Sequence, residues 1–207
     1  MDREASWQVI SAQRLVLADL LDSLTPDQWE TPSLCAGWRV RDVAAHVALA
    51  PQPPGLLAMI GEGLRARGSF DRLNHDLAVA HAESRPAPAL TDELRTLAGS
   101  RRLPVVTNYR NALFDTLIHV QDVAVPLGHS ITMPLDAACA AATRIWEMGW
   151  PFWARRRLRG HRLAATDADW SVGTGTLVTG PITALVLHLS GRPAAMASLR
   201  IASAGRG

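Results

Sequence analysis

The sequence has no lysine: all 21 of its basic residues are arginine, set against 19 Asp and Glu for a net charge of +2. Nucleic-acid binders carry a basic patch with interleaved aromatics or a recognisable module. Here the one dense run, Arg155-Arg156-Arg157, stands alone, so no nucleic-acid partner is expected. Arginine in place of lysine, alongside frequent Ala, Gly and Pro, is what a GC-rich genome encodes. Cysteine is scarce too. Cys35 and Cys139 are too few and too far apart for a disulfide framework or a cysteine-based zinc site. No apolar run reaches the roughly 18–20 residues of a membrane span, because Arg, Asp or Pro interrupts each candidate. The opening MDREASWQVI lacks the basic-then-apolar order of a secretory signal. The expected location is cytoplasmic, away from membranes.

What is present is core-forming material. Of 207 residues 48% are hydrophobic, which is incompatible with wholesale disorder and enough for one generous domain or a main domain with an appendage. Trp7, Ile10, Leu17, Leu21 and Leu24 recur at three- and four-residue steps and predict a helix over residues 3–24. Arg14 shares that stripe, and its stem is expected along the core with its head at an edge. Thr25-Pro26-Asp27-Gln28 reads as a capping box with proline at the first helical position, opening a short turn that carries Trp29. Residues 31–38 read as loop. A second long helix is expected from Val40 to about Ala50, stopped by Pro51, Pro53 and Pro54.

Residues 55–84 look helical with a break near Gly68, and Thr91 to Ala98 reads as a short helix. Long helices follow from Asn108 to Val125, ended by Pro126 and Gly128, and from Pro134 towards Trp150. The pattern then changes. His161–Thr166, Trp170–Val172 and Leu177–Thr179 read as short strands around a Gly-Thr-Gly turn, and Pro181 opens a helix that Gly191 closes. The expected fold is mainly α: a metal-binding helical bundle over residues 1–150 and a small α+β appendage over 151–207.

Chemistry concentrates on two helices. Asp115 and His119 are four residues apart, so their side chains leave one helix face a turn apart. Such a pair can grip one cation, as in metal sites built inside bundles. Asp122 lies three residues further on near the same face. Leu117, Ile118, Val120 and Val123 make the helix apolar on more than one side, and a buried acid–imidazole cluster is costly without a counter-charge. The same spacing also arises from a surface ion pair on an amphipathic helix. On the second helix, Val43, His46, Val47 and Ala50 fall at i, i+3, i+4 and i+7, which places His46 in an apolar stripe. A lone histidine there is commonly a satisfied core residue. Joined with Asp115 and His119, it completes a two-imidazole, one-carboxylate set that binds divalent metals and leaves coordination positions open.

Trp29 to His46, WETPSLCAGWRVRDVAAH, resembles the N-terminal motif of the mycothiol-dependent maleylpyruvate isomerase family, within the DinB-like metalloprotein superfamily: a Trp, a Pro–Cys segment, GW, V-R-D and the ligand histidine. LFDTLIHVQDVAVPLG resembles the family's acid-x3-His-x2-Asp helix, and ATDADWSVGTGTLVTGPITALVLHLSGRPAA resembles the C-terminal region of a short-chain branch. The resemblance implies a DinB-like four-helix bundle with His46, Asp115 and His119 as metal ligands. The ion implied is zinc, with nickel or another divalent ion as the alternative. It also implies mycothiol, the small thiol of actinobacteria, as cofactor or cosubstrate. The activity implied is cis–trans isomerisation or thiol transfer onto a small electrophile. Asp122 is expected to orient His119 or a bound water, or to approach the metal.

Two features depart from the family pattern. The carboxylate ligand is commonly Glu, whereas Asp115 is one methylene shorter, and the part after residue 150 is shorter than in the isomerase proper. Arg110 and Arg192 are candidates to meet a substrate carboxylate or the thiol. Cys35, in the motif loop, is expected to be structural, Trp29 and Trp38 to be loop anchors, His75 and His81 to be surface residues because six positions do not share a helix face, and His129 and His188 to be structural or exposed. The alternative reading is a non-catalytic metal-binding protein used in regulation or partner binding. Acceptor substrate and oligomeric state are not legible.

Overall fold

Apolar residues at three- and four-residue steps and well-placed caps account for the helices. The computed structural model describes residues 1–52, 70–104 and 107–202. Helix α1 (Arg3–Asp22) begins where the Asp2 carboxylate accepts the Ala5 amide at 2.8 Å. The short α2 (Pro26–Trp29) has the expected box, with Gln28 Oε1 accepting the Thr25 amide at 2.9 Å. Helix α3 (Val40–Leu49) is opened by Asp42, whose Oδ2 accepts the Arg39 amide at 2.8 Å. Helices α4 (Phe70–Glu83), α5 (Ala87–Leu97), α6 (Tyr109–Ala124) and α7 (Leu135–Glu147) follow. The helix expected over 55–84 is present as α4; its portion before residue 70 lies outside the described residues. Helix α5 starts four residues earlier than the sequence suggests, because Pro88 fits the first turn, where no amide hydrogen bond is needed.

Helix α6 is central. It packs on α1, α3 and α7, while α5 contacts both α1 and α3, and α4 lies on α3. Its residues 116–124 are all buried, as befits a helix apolar on every side. Two apolar clusters meet along it. One gathers Trp7, Ile10, Leu117, Ile145, Leu163 and Leu185; the other gathers Leu17, Leu21, Val43, Val47, Leu90 and Val123. Arg14 departs from expectation: it is 1% exposed, and its Nη1 donates to the carbonyls of Leu97, Ala98 and Ser100 at 3.4, 3.2 and 3.0 Å. The head is buried because the end of α5 leaves carbonyls without helical partners. Among the described residues no helix is long and apolar enough to cross a membrane.

Beyond a short α8 (Ala154–Arg157), strands β1 (His161–Ala165), β2 (Ser171–Gly173), β3 (Thr176–Gly180) and β4 (Arg200–Ile201) form one sheet in the order β2-β1-β3-β4. β1 runs parallel to β3, and the outer pairs are antiparallel. The tight Gly173-Thr174-Gly175 turn needs glycine: both ends have positive φ, and a Cβ would sit 2.3 Å from the His161 carbonyl oxygen or 2.1 Å from that of Gly160. Helix α9 (Ile182–Leu189) packs on this sheet and on α7. Asp167 accepts the Ile182 amide at its start, and Arg157 donates to the His188 and Leu189 carbonyls at its end. Arg157, from the dense basic run, is thus a cap for this helix. A 3-10 turn (Pro193–Ser198), α8 and β4 carry no periodic signal in the sequence.

Candidate metal centre

Helices α3 and α6 bring three donors to one point. His46 Nε2 lies 3.5 Å from Asp115 Oδ2, and His119 Nε2 lies 3.4 Å from Asp115 Oδ1. The ligand atoms of His46, Asp115 and His119 all fall within 4.8 Å of one another. The two imidazole rings stand 4.8 Å apart at 70°, so their Nε2 lone pairs can converge on one ion. Asp115 is the open side of the group, with 35% of its side chain exposed. This donor set suits a divalent ion, and three protein ligands leave positions for further ligands.

Behind His119 stands a second acid. Asp122, 0% exposed, receives His119 Nδ1 on its Oδ2 at 2.9 Å. The same carboxylate takes both arms of Arg192, Nε at 3.0 Å and Nη2 at 2.7 Å, while Nη1 donates to the Ser190 carbonyl at 2.9 Å. Metal-binding histidines typically have their second nitrogen held in this way by a carboxylate, which fixes tautomer and ring direction. Gly191, at positive φ, ends α9 and turns the chain so that the Arg192 amide bonds back to Leu187 at 2.8 Å. Asp122 therefore supports His119 and is not one of the three converging donors. Arg110 is placed elsewhere. Its guanidinium lies over the Tyr109 ring and borders an open cavity of about 650 Å³, whose lining includes none of the three donors.

Charges in the cluster are strongly coupled. Burial works against a charged His119, but the Asp115 and Asp122 carboxylates outweigh it and hold the imidazolium up to about 9 in the metal-free chain. Burial would raise the two acids; His119 with His46 holds Asp115, and His119 with Arg192 holds Asp122, below the usual carboxylate range. Cys35 lies close enough to feel Arg192, yet burial pushes its thiol up to about 11, which makes it a poor nucleophile near neutrality.

The structure also gives Trp38 a place that its reading as a loop anchor missed. The Leu34 amide bonds to the Asp122 carbonyl at 3.1 Å, and the Ser33 amide to the Trp38 carbonyl at 2.9 Å, pinning the motif loop over α6. The Trp38 ring then stacks on His119 at 6.2 Å and meets His46 edge-on at 5.4 Å. His75 of α4 meets the same ring at 5.8 Å. The Gly37-Trp38 pair just before V-R-D-containing α3 was the available signal, since a large aromatic beside the ligand helix must cover something.

The model of the mycothiol maleylpyruvate isomerase N-terminal domain family matches residues 10–103. That match covers a little under half of the chain. The family match includes the motif loop, α3 and His46, and stops short of α6. A crystal structure of mycothiol-dependent maleylpyruvate isomerase shares the fold, with TM-score 0.66 and 14% identity over 98% of this chain and 93% of that one. A crystal structure of a histidine-to-alanine variant of mycothiol-dependent maleylpyruvate isomerase aligns over the same shares at TM-score 0.65 and 14% identity. No curated protein matches the chain. The fold of that isomerase thus extends over nearly all of the chain.

Proposed function

We propose that this chain is a divalent-metal-dependent enzyme that uses mycothiol, acting on a small electrophile as a cis–trans isomerase of the maleylpyruvate type or as a thiol transferase. The observation that carries this is the convergence of two imidazoles and one carboxylate within 4.8 Å, in a chain whose residues 10–103 match this family. His46, Asp115 and His119 would hold the ion, zinc by the preference of that donor set. A bound divalent ion lowers the pKa of a thiol beside it, so that thiolate is available near neutral pH.

The chain's own residues do the rest. Asp122 fixes the His119 ring through Nδ1 and leaves Nε2 directed at the site, while Arg192 keeps that carboxylate ionised and in place. Trp38 walls one side of the cluster, and the raised Cys35 stays a thiol and does not compete for the electrophile. In this reading the bundle of residues 1–150 holds the ion, and residues 151–207 supply the arginine that braces it. With a cis-enedioate acceptor, the thiolate adds across the double bond, the resulting single bond rotates, and expulsion of the thiolate leaves the trans isomer. With an acceptor that bears a leaving group, the product is a thioether.

The test is replacement of the native ion by cobalt, followed by titration with mycothiol. A sulfur-to-cobalt charge-transfer band that grows to saturation is expected. Binding of mycothiol that is equal with and without metal, or a cobalt spectrum that no thiol perturbs, overturns this function and leaves a metal-binding protein without thiol chemistry.

A further inference from the structure

A metal-binding histidine is normally steadied at its second ring nitrogen by a carboxylate, a carbonyl or water, and the two imidazoles of this centre differ in that respect. His119 has Nδ1 on the Asp122 carboxylate at 2.9 Å. His46 has no such brace from the protein. Among the described residues its side chain makes one polar contact, Nε2 facing Asp115 at 3.5 Å, and no protein group meets its Nδ1.

What meets the His46 ring is an indole. Trp38 faces it with centroids 5.4 Å apart and planes at 83°. Aromatic pairs prefer that arrangement, because the positive edge of one ring lies against the negative face of the other. The same indole lies nearly parallel to His119, at 6.2 Å and 18°, and the two imidazoles stand 4.8 Å apart at 70°. The three rings close a triangle. Turning His46 about its Cβ–Cγ bond changes its angle to both neighbours and gives up the edge-to-face contact. The indole is itself anchored: the Trp38 amide donates to the Cys35 carbonyl at 3.0 Å, its carbonyl accepts the Ser33 amide at 2.9 Å, and His75 packs on its ring at 5.8 Å.

We propose that Trp38 is the positioning residue for His46. Its indole does by packing what Asp122 does for His119 by hydrogen bonding, and so sets the direction from which His46 Nε2 meets the ion. This rests on the metal-binding reading above. Trp38 is half-buried in a loop and lies at the margin of the second apolar cluster, so its ring can be exchanged for another apolar side chain without emptying the core.

The test uses the full-length protein loaded with cobalt, in unaltered form and as Trp38→Phe and Trp38→Leu. Leucine keeps apolar bulk for the loop and has no ring; phenylalanine keeps a ring. Cobalt affinity, read by competition with a chromophoric chelator, should fall about 10–100-fold in Trp38→Leu, the range for losing a group that orients a ligand histidine. In Trp38→Phe it should stay within about threefold of the unaltered protein, because an edge-to-face pair survives. The cobalt d–d bands, which report ligand directions and not fold stability, should move in Trp38→Leu and hold their positions in Trp38→Phe. In the unaltered, zinc-loaded protein, nuclear Overhauser contacts should join the Trp38 indole to the His46 ring, and this measurement decides even where a variant does not fold. Unchanged affinity and bands in both variants, an equal loss in both, or absence of those contacts overturns the role of Trp38 and leaves the metal centre standing. Failure of the unaltered chain to take up cobalt removes the metal centre and this role with it.

Discussion

Asp122 has three calls on two oxygens and no exposure to water: it orients His119, pairs with Arg192 and stays ionised in the interior. Breaking a buried pair by deleting one partner is far more costly than the pair's net worth, because the survivor is left charged and unpaired. Asp122→Ala should therefore lower stability by about 3–5 kcal/mol. It should also weaken metal affinity by about 10–100-fold, as loss of a histidine-orienting carboxylate does elsewhere. Thermal melts and competition with a chromophoric chelator measure the two effects separately, and unaltered affinity would contradict the bracing role of this acid. His119 sets a pH dependence at the same scale. Its folded pKa, about 9, lies above the ordinary 6.5. In the metal-free chain its stabilising contribution is complete below about 6.5 and is lost as pH rises through about 9. A metal ion needs the Nε2 that this proton occupies, so the sign reverses for binding: apparent affinity rises about tenfold per pH unit up to about 9, with one proton released. Calorimetry in buffers of different ionisation enthalpy counts that proton directly, and a pH-independent affinity with no release would refute the coupling.

Helix α3 shows how an element places a donor. Its start is fixed by Asp42, which caps the Arg39 amide and takes the Arg39 guanidinium at 2.9 and 2.8 Å. His46 sits one turn beyond that cap. Asp42→Ala should cost about 1–2 kcal/mol, seen as a fall in Tm of roughly 2–8 °C, and should loosen His46 enough to weaken metal binding. A variant with normal Tm would show that the cap is dispensable. The elements that sequence foresaw are those whose signals are local: the stripe of α1, the capping box of α2, the proline-bounded α3, and the four-residue spacing of Asp115 and His119. What it did not show depends on distant packing. Arg192 reaches Asp122 across 70 positions, and His75 reaches Trp38 only because α4 lies on α3. Arg14 looked like an edge residue because nothing near it in sequence announces the carbonyls at the end of α5. β4 and α8 are too short to carry a period.

Across the whole molecule, the metal site and the apolar core are separable sources of stability. The two apolar clusters run the length of α6 and include neither His46 nor Asp115, so the fold does not depend on an ion as a zinc finger does. An ion that binds only the folded chain nevertheless stabilises it by mass action, about 2.7 kcal/mol at a free concentration one hundred times Kd. For a chain of this size that is a rise in Tm of roughly 5–11 °C. His46→Ala and His119→Ala should each keep most of the helical circular dichroism and melt cooperatively, yet show no rise with added metal and no stoichiometric ion on elemental analysis. Because His119 must lose its proton to bind, the rise in the unaltered chain should be larger at pH 8 than at pH 6 at the same metal concentration. A metal-dependent rise that persists in both alanine variants would move the site away from α3 and α6, whereas loss of helix in both would show that the imidazoles hold the bundle together.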